Sequence, residues 1–469
     1  MKYVFLSGAI LMTLLSGLPF CWRPREEQGR IVLTWSADDN PARREQIALF
    51  EKRYPEYKLE LQAINPGTQI PKLIVQSLAG TGPDLFECYM GFHLSAYVRA
   101  GVAMDLTDEF ARRNIDLDDV WPCLEPTYKF EGRAYGHPAV ATALGLWYNK
   151  DVFDEEGIAY PTDDWTWNDF LVVAKKFVEH DEKGRPVRFG LMFWDVYPAL
   201  GQYGAGFFVP EGTRCALDHP NAIAAMELMQ DLIYKHGVMP TPTEEGAMAS
   251  TGGWGMGALN LFASGKSAMA LGHRQWLWTL DDESFGHLRL GVVQAPAAEL
   301  STGPSRSVFG GGRSTLVNAK GKNVEGALKF MEFMNSRYWS ELINEQADCL
   351  APLKRYCYQE RFAENKRYPS PDYTIAWRNI LESARPIVFS PYVNGETFMR
   401  ILTKHTDLVR LNQKPAAEAM REAARETNQA ILERLAIDPV LRARYRAAVR
   451  DGAPPAWDTP NEAPAWLSG

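Results

Sequence analysis

The stretch Ile31-Val32-Leu33-Thr34-Trp35, breaking into Ser36-Ala37-Asp38-Asp39-Asn40-Pro41, decides how the rest of the chain is read. Five apolar or β-prone residues form a strand. Asn40 is then placed to cap a helix, and Pro41 suits its first turn, where no amide is needed. Ile47 and Phe50 follow at helical spacing, and Tyr54-Pro55 ends the helix. A second strand is expected over residues 58–63, and a helix runs through Leu73 to Leu78. The turn Gly80-Thr81-Gly82-Pro83-Asp84 then leads into the short strand Leu85-Phe86. Strand, helix, strand, helix, strand is the rhythm of a parallel sheet in an α/β protein.

The rhythm continues outward. Residues 136–148 read as extended. Thr166 begins a capping-box-like start whose acid is Asp169, and Phe170, Val173, Ala174 and Phe177 mark one helix face. Another helix starts near Pro220, carries Ile223, Met226, Met229 and Ile233, and stops at Gly237. Short strands are expected at 189–193, 268–271, 290–293 and 315–317. After about Ser383 the chain turns helical, with Ala417, Met420, Ala424 and Ile431 as a buried stripe. The Pro-rich tail beyond Pro454 reads as irregular.

At 469 residues the chain is too long for one simple core, so two lobes are expected. No internal repeat and no long charged linker stands between them, which suggests lobes that exchange strands. Hydrophobic residues at 46% and charged ones at 23% are ordinary for a globular protein. Aromatics reach 12%, with 14 Trp and 19 Tyr, a rich supply of rings with an apolar face. The net charge of −8, with no block of Lys or Arg, argues against a nucleic-acid partner. Lys2 and the uncharged run from Tyr3 to Trp22 read as an export signal. Phe20, rather than a small residue, precedes Cys21, and the run is about long enough to span a bilayer. Cleavage, lipidation at Cys21 and an uncleaved anchor therefore all stay open. Six cysteines (Cys21, Cys88, Cys123, Cys215, Cys349 and Cys357) contain no C-x-x-C pair, and both disulfides and buried thiols fit them.

Motifs for catalysis are missing. Eight histidines stand singly, without metal-ligand spacing, so no metal or cofactor is expected. Residues 260–267 end like a phosphate loop, but Asn260 replaces its first glycine and Leu261-Phe262-Ala263 suits a helix surface. Residues 252–257 read as a glycine-rich loop that approaches a ligand closely. No G-x-S-x-G elbow occurs, and the pairs Asp38/Asp39 and Asp163/Asp164 sit in turns, where capping is their usual work.

A series of strings is nevertheless distinctive in its order and spacing. It comprises Gly82-Pro83-Asp84-Leu85-Phe86, G-V-A-M-D-L-T (101–107), G-R-A-Y-G-H-P (132–138), L-W-Y-N-K-D-V-F (146–153) and Thr166-Trp167. L-F-A-S-G-K-S-A-M (261–269), Phe309-Gly310-Gly311-Gly312 and N-V-E-G-A-L-K-F-M-E-F-M-N (323–335) complete it. From about Ile31 to Leu435 the chain resembles the family 1 extracellular solute-binding proteins of ABC importers, the sugar-binding group that includes maltose-binding protein. The resemblance implies a two-lobed α/β fold of the type II periplasmic-binding kind, its lobes joined by crossover strands around a ligand cleft. The first crossing is expected at 140–144, the return near Leu288 and a last crossing at 347–352. These give an export segment at 1–27, one lobe from 28–141 plus 288–347, another from 142–287 plus 348–436, and a C-terminal extension at 437–469.

A sugar cleft needs aromatic faces for ring C–H groups and planar polar groups for hydroxyls, on loops just after strands. Trp35, Ser36 and Asp38 follow the first strand, and Glu87 and Tyr89 follow the strand at Leu85, while Asp84 is expected to brace its loop. The family's crossover carboxylate is matched here by Thr142, so a hydroxyl replaces an acid. Trp194 and Asp195, Trp254, and Arg274 with Trp276 are the candidates from the second lobe. Gly311, Gly312, Arg313 and Tyr392 complete the set. Each Trp is equally an ordinary core residue, and Trp147, Trp167 and Trp339 are read as core. The resemblance implies a monomer that closes on a mono- or oligosaccharide outside the cytoplasm and docks on an ABC permease. Polyols, glycerol phosphates and uronates stay open, since Arg274 and Arg313 suit an anion. A carbohydrate-active enzyme and a ligand-presenting sensor subunit are the alternatives.

Overall fold

Asn40 caps as its position asks. Its side chain accepts from the Arg43 amide at 3.0 Å, Pro41 fills the first turn, and the helix Pro41–Arg53 follows the strand Arg30–Ala37. The computed structural model describes residues 25–63, 70–192, 194–248, 256–280 and 288–457. The expected signal or anchor with Cys21, Trp254 and its glycine-rich neighbours before Met256 lie outside the described residues.

Arg30–Ala37 pairs in parallel with Tyr57–Ala63 and with Leu85–Cys88. This is the expected α/β core, but the sheet is mixed. Ser314–Val317 joins it antiparallel to Leu85–Cys88, and Gly136–Pro138 pairs antiparallel with Ser314–Val317. The direction changes because Ser314–Val317 returns from the other sheet rather than arriving through a local crossover helix. A second sheet runs Glu179–His180, Pro186–Met192, Ser267–Gly272, Gly145–Asn149 and Leu290–Val293.

Three segments link the sheets. The first lies between Gly136–Pro138 and Gly145–Asn149. The expected return near Leu288 is corrected: Leu290–Val293 still belongs to the second sheet, with Leu290 opposite Asn149 and Val293 opposite Leu146. Its apolar run buries Leu290 and Val292 and gives its backbone to Gly145–Asn149. The chain returns instead through Val308–Gly311, which pairs with Thr142–Ala143, and enters Ser314–Val317. The third crossing lies at 347–352, where Ala141 and Leu350 exchange backbone hydrogen bonds of 2.8 and 2.9 Å. The close approach of these segments requires a glycine: a Cβ on Gly312 would stand 2.0 Å from the Val140 carbonyl oxygen.

Each sheet has its own aromatic core. Trp35, Phe50, Phe330, Phe333 and Trp339 pack together beside the first, and Trp167, Phe170, Trp194 and Phe207 beside the second. Asp84 braces its loop as expected, accepting from Thr34 N and Oγ1 at 2.9 and 2.8 Å and from the Lys322 and Asn323 amides at 2.9 Å. The Thr166–Asp169 capping box is formed. Helices Gly395–Arg410, Ala416–Ile437 and Pro439–Arg450 close the second half. The five described cysteines are free and buried. Among the described residues no helix is long and apolar enough to cross a membrane.

Candidate functional site

Strands Arg30–Ala37 and Leu85–Cys88 are parallel neighbours, so the loops carrying Asp38 and Tyr89 leave the same edge of the sheet. There the Tyr89 hydroxyl donates to Asp38 Oδ1 at 2.8 Å, and the Asp38 side chain keeps 38% of its surface exposed.

Behind this pair lies a buried charge network. Arg43 reaches Asp38 at 3.1 Å and Asp348 at 2.6 Å. Arg313 reaches Asp348 at 3.0 Å and Glu87 at 3.2 Å. Glu87 also accepts from Trp35 Nε1 at 2.8 Å and Thr315 Oγ1 at 2.7 Å, and Gln46 Nε2 donates to Asp348 at 3.0 Å. Three carboxylates thus face two guanidiniums. Burial works against charge on Asp38 and Asp348, but Arg43 and Arg313 outweigh it and hold both below the usual carboxylate range. Burial likewise disfavours the Arg43 cation, and the two aspartates reverse that and raise its pKa.

The second lobe brings a different set. Thr142 Oγ1 and His273 Nδ1 lie 2.9 Å apart, and the same nitrogen is 3.2 Å from the Ala143 carbonyl. Burial lowers the His273 pKa to about 4, so the imidazole is neutral near pH 7. The Cys349 thiol donates to Gln275 Oε1 at 2.7 Å. Gly311 pairs with Thr142, and a Cβ built on it would meet nothing within 4 Å. Asp38 and Tyr89 are therefore linked to Gln275 through Asp348 and Cys349. Open space borders Gly311 beside Thr142, which touches His273.

Many sequence candidates point elsewhere. Trp35 is fully buried, its ring 5.2 Å from that of Phe330, and Ser36 lies in the same strand with 1% of its surface exposed. Glu87 and Arg313 are sealed in the charge network. Trp194 packs on Trp167 at 4.6 Å, Tyr392 meets Tyr445 edge-on at 5.0 Å, and Trp276 is buried in a further apolar cluster with Trp147, Phe262 and Leu277. Arg274 spends its guanidinium on the carbonyls of Tyr373, Cys349 and Asn344 at 2.6, 2.6 and 3.0 Å, and burial lowers its pKa to about 10. Gly312 is packed where a Cβ would stand 2.0 Å from the Val140 carbonyl oxygen. Asp195 is half-buried, caps the amide of Tyr197 at 3.0 Å, and is raised to about 6 by burial.

Four residues of the candidate site escape the sequence reading: Arg43, Asp348, His273 and Gln275. His273 and Gln275 flank Arg274 in a loop already singled out, and Asp348 lies in the expected third crossing. Arg43 carries no sequence signal beyond its place in a first helical turn. Among the described residues no group of three or more His, Cys, Asp or Glu is placed to hold a metal.

The sequence profile described as bacterial extracellular solute-binding protein matches residues 35–337. A protein of Brucella abortus described as a binding protein is 26% identical over 414 residues, covering 86% of this chain and 92% of that one. The galactooligosaccharide-binding protein of Bacillus subtilis is 24% identical over 298 residues, covering 61% of this chain and 64% of that one. An ABC substrate-binding protein of Listeria monocytogenes in complex with cycloalternan superimposes with a TM-score of 0.70 at 21% identity, over 86% of this chain and 99% of that one. The maltose/maltodextrin-binding domain of Bdellovibrio bacteriovorus bound to maltotriose gives 0.67 at 18% identity, over 86% and 100%. Two sheets, three crossings and polar loops gathered beside them are thus the two-lobed periplasmic-binding fold, and the chain belongs to the bacterial extracellular solute-binding protein family.

Proposed function

We propose that this protein is the capture component of an ABC importer, closing its lobes on a carbohydrate without net negative charge and presenting it to a membrane permease. The observation that carries this reading is the set of half-buried polar groups beside the crossings: Asp38 and Tyr89 from one lobe, Thr142, Gly311, His273 and Gln275 from the crossings and the other. Such groups accept and donate to sugar hydroxyls. The relatives from Bacillus subtilis and Halalkalibacterium halodurans are named for galacto- and arabinooligosaccharides.

The charge balance favours a neutral ligand. Arg43, Arg274 and Arg313 spend their guanidiniums on protein acceptors, so uronates and glycerol phosphates lose the partners that Arg274 and Arg313 suggested. The segments 64–69 and 249–255 contain neither Lys nor Arg. A hydrolase would need one carboxyl holding a proton beside one that is ionised. Asp38 and Asp348 are both held charged by arginines, which supports binding over catalysis.

Closure would be a hinge motion at the three crossings, with ligand shifting the population. The lobes would divide at 139–144, 294–313 and 347–352. The protein would act as a monomer outside the cytoplasm, with its N-terminus cleaved, lipidated or retained as a tether. A thermal-shift screen of the purified chain tests the proposal, using maltotriose, galacto- and arabinooligosaccharides, glucuronate and glycerol 3-phosphate. Stabilisation by a neutral sugar supports it, and stabilisation by only the two anions refutes the charge argument.

A further inference from the structure

The third crossing contains a feature that hinge closure alone does not explain. Ala347 and Cys349 both adopt the left-handed backbone region, with φ of 57° and 64°, and neither is glycine. The Cys349 amide donates to the Ala347 carbonyl at 2.7 Å, which closes a three-residue turn around Asp348. Two strained residues flanking Asp348 persist only where the surroundings over-determine them.

Each lobe holds one side of this turn. On the first-lobe side, Asp348 is gripped by Arg43 at 2.6 Å, Arg313 at 3.0 Å and Gln46 at 3.0 Å, with 6% of its side chain exposed. On the second-lobe side, the Cys349 carbonyl accepts from Arg274 at 2.6 Å and its thiol donates to Gln275 at 2.7 Å. Arg43 is shared: its other nitrogen is 3.1 Å from Asp38, the partly exposed carboxylate that meets Tyr89. A group that binds Asp38 therefore competes directly with the cation that pins the turn.

We propose that Asp348 is a positioning residue for lobe closure, transmitting the state of the Asp38–Tyr89 ligand contact through Arg43 to the left-handed turn at the third crossing. This rests on the reading of Asp38 and Tyr89 as ligand contacts. When a ligand hydroxyl takes acceptor capacity from Asp38, Arg43 shifts its bonding toward Asp348. The turn sits between both lobes, so a change in its grip alters their preferred separation. Coupling of this kind needs an element with two arrangements that both sites bias, and a strained turn held from two sides is such an element.

The test uses the unliganded full-length chain and small-angle X-ray scattering, so it does not depend on which sugar binds, or on whether one does. Asp38→Asn weakens the Asp38–Arg43 pair as a ligand would. Its radius of gyration is expected to shift from that of the wild type, and the shift is expected to vanish in Asp38→Asn/Asp348→Asn. Ala347→Gly, which removes the strain without touching a charge, covers the case in which Asp348→Asn does not fold. It should change the radius of gyration alone and make the effect of Asp38→Asn non-additive. An unchanged radius in Asp38→Asn, or strictly additive effects with either partner, overturns the proposal. A chain that binds no carbohydrate but shows the coupling would refute the sugar reading alone.

Discussion

The Arg313 guanidinium lies 3.2 Å from the Glu87 carboxylate, with 2% and 0% of the two side chains exposed. They stand at the ends of adjacent antiparallel strands, Leu85–Cys88 and Ser314–Val317, so the pair ties the returning chain to the sheet it left. Glu87 has two further donors, Trp35 and Thr315, while Arg313 also neutralises Asp348. Removing the cation leaves the buried Glu87 without a cationic partner and Asp348 with Arg43 alone. Arg313→Met is therefore expected to cost about 3–5 kcal/mol of stability. Urea denaturation checks this: the midpoint should fall at an unchanged slope. A loss below 1 kcal/mol (roughly the value of an exposed pair) would show that water reaches the network.

Asp195 gives a pH signature of opposite sign to Asp38 and Asp348. Its folded pKa is raised to about 6 by burial, against an ordinary 3.8. Between these values the native state binds more protons than the unfolded chain, so stability rises as pH falls from 7 toward 4. Asp38 and Asp348 have depressed values, and their contribution is complete above pH 3.8 and is lost only below it. Asp195→Asn keeps an acceptor for the Tyr197 amide and removes the charge. It is expected to raise stability at pH 7.5 by at most about 3 kcal/mol, a gain that shrinks to about 1 kcal/mol at pH 4.5. Equal pH dependence of wild type and variant between 4.5 and 7.5 would contradict the raised value.

What the sequence makes legible is local. Asn40 with Pro41, Thr166 with Asp169 and the bracing role of Asp84 each depend on neighbours within a few residues or on a turn, and all three are formed. Pairing between distant segments is not local. The run at Leu290–Val293 announces a strand but not its sheet, because its partner is chosen by the crossing at 139–144. The tryptophans show the same limit. Trp35 lies within the strand Arg30–Ala37 and Asp38 directly after it, yet Trp35 turns toward Phe330 and Asp38 toward Tyr89. Alternation along a strand separates their faces, but only the packed helix Val324–Met334 decides which face is core. Arg43–Asp348, 305 residues apart, has no signal at all in a single sequence.

The glycine triplet separates two roles that its sequence joins. A Cβ at Gly312 would collide with the Val140 carbonyl at 2.0 Å, so Gly312→Ala must push the first and second crossings apart. It is expected to cost about 2–3 kcal/mol. Gly311 has open space around it and no left-handed backbone, so Gly311→Ala should change stability by less than about 0.5 kcal/mol. Its methyl group would instead enter the space beside Thr142. Calorimetric melting of both variants, with titration of whichever sugar stabilises the wild type, reads the two effects separately. Weaker binding in Gly311→Ala at an unchanged melting temperature is the expected result.

Tyr89 and Trp194 make the sharpest contrast between the proposed ligand wall and a core. The Tyr89 hydroxyl meets Asp38 at a partly exposed edge, whereas the Trp194 ring packs on Trp167 with 2% of its surface exposed. Tyr89→Phe removes one hydroxyl and no packing volume. Loss of a single neutral hydrogen bond is worth about 1 kcal/mol, so affinity for the stabilising sugar should drop about fivefold. Trp194→Ala empties a large core site and is expected to destabilise the fold by about 3–5 kcal/mol. At temperatures well below the variant's melting point, its affinity should stay within about twofold of the wild type, since the ring faces Trp167 and not the crossings. Isothermal titration at low temperature decides the matter. If Trp194→Ala abolishes binding while the chain remains folded, the ligand space extends behind the strand Pro186–Met192, and the wall drawn at Asp38, Tyr89 and Thr142 is incomplete.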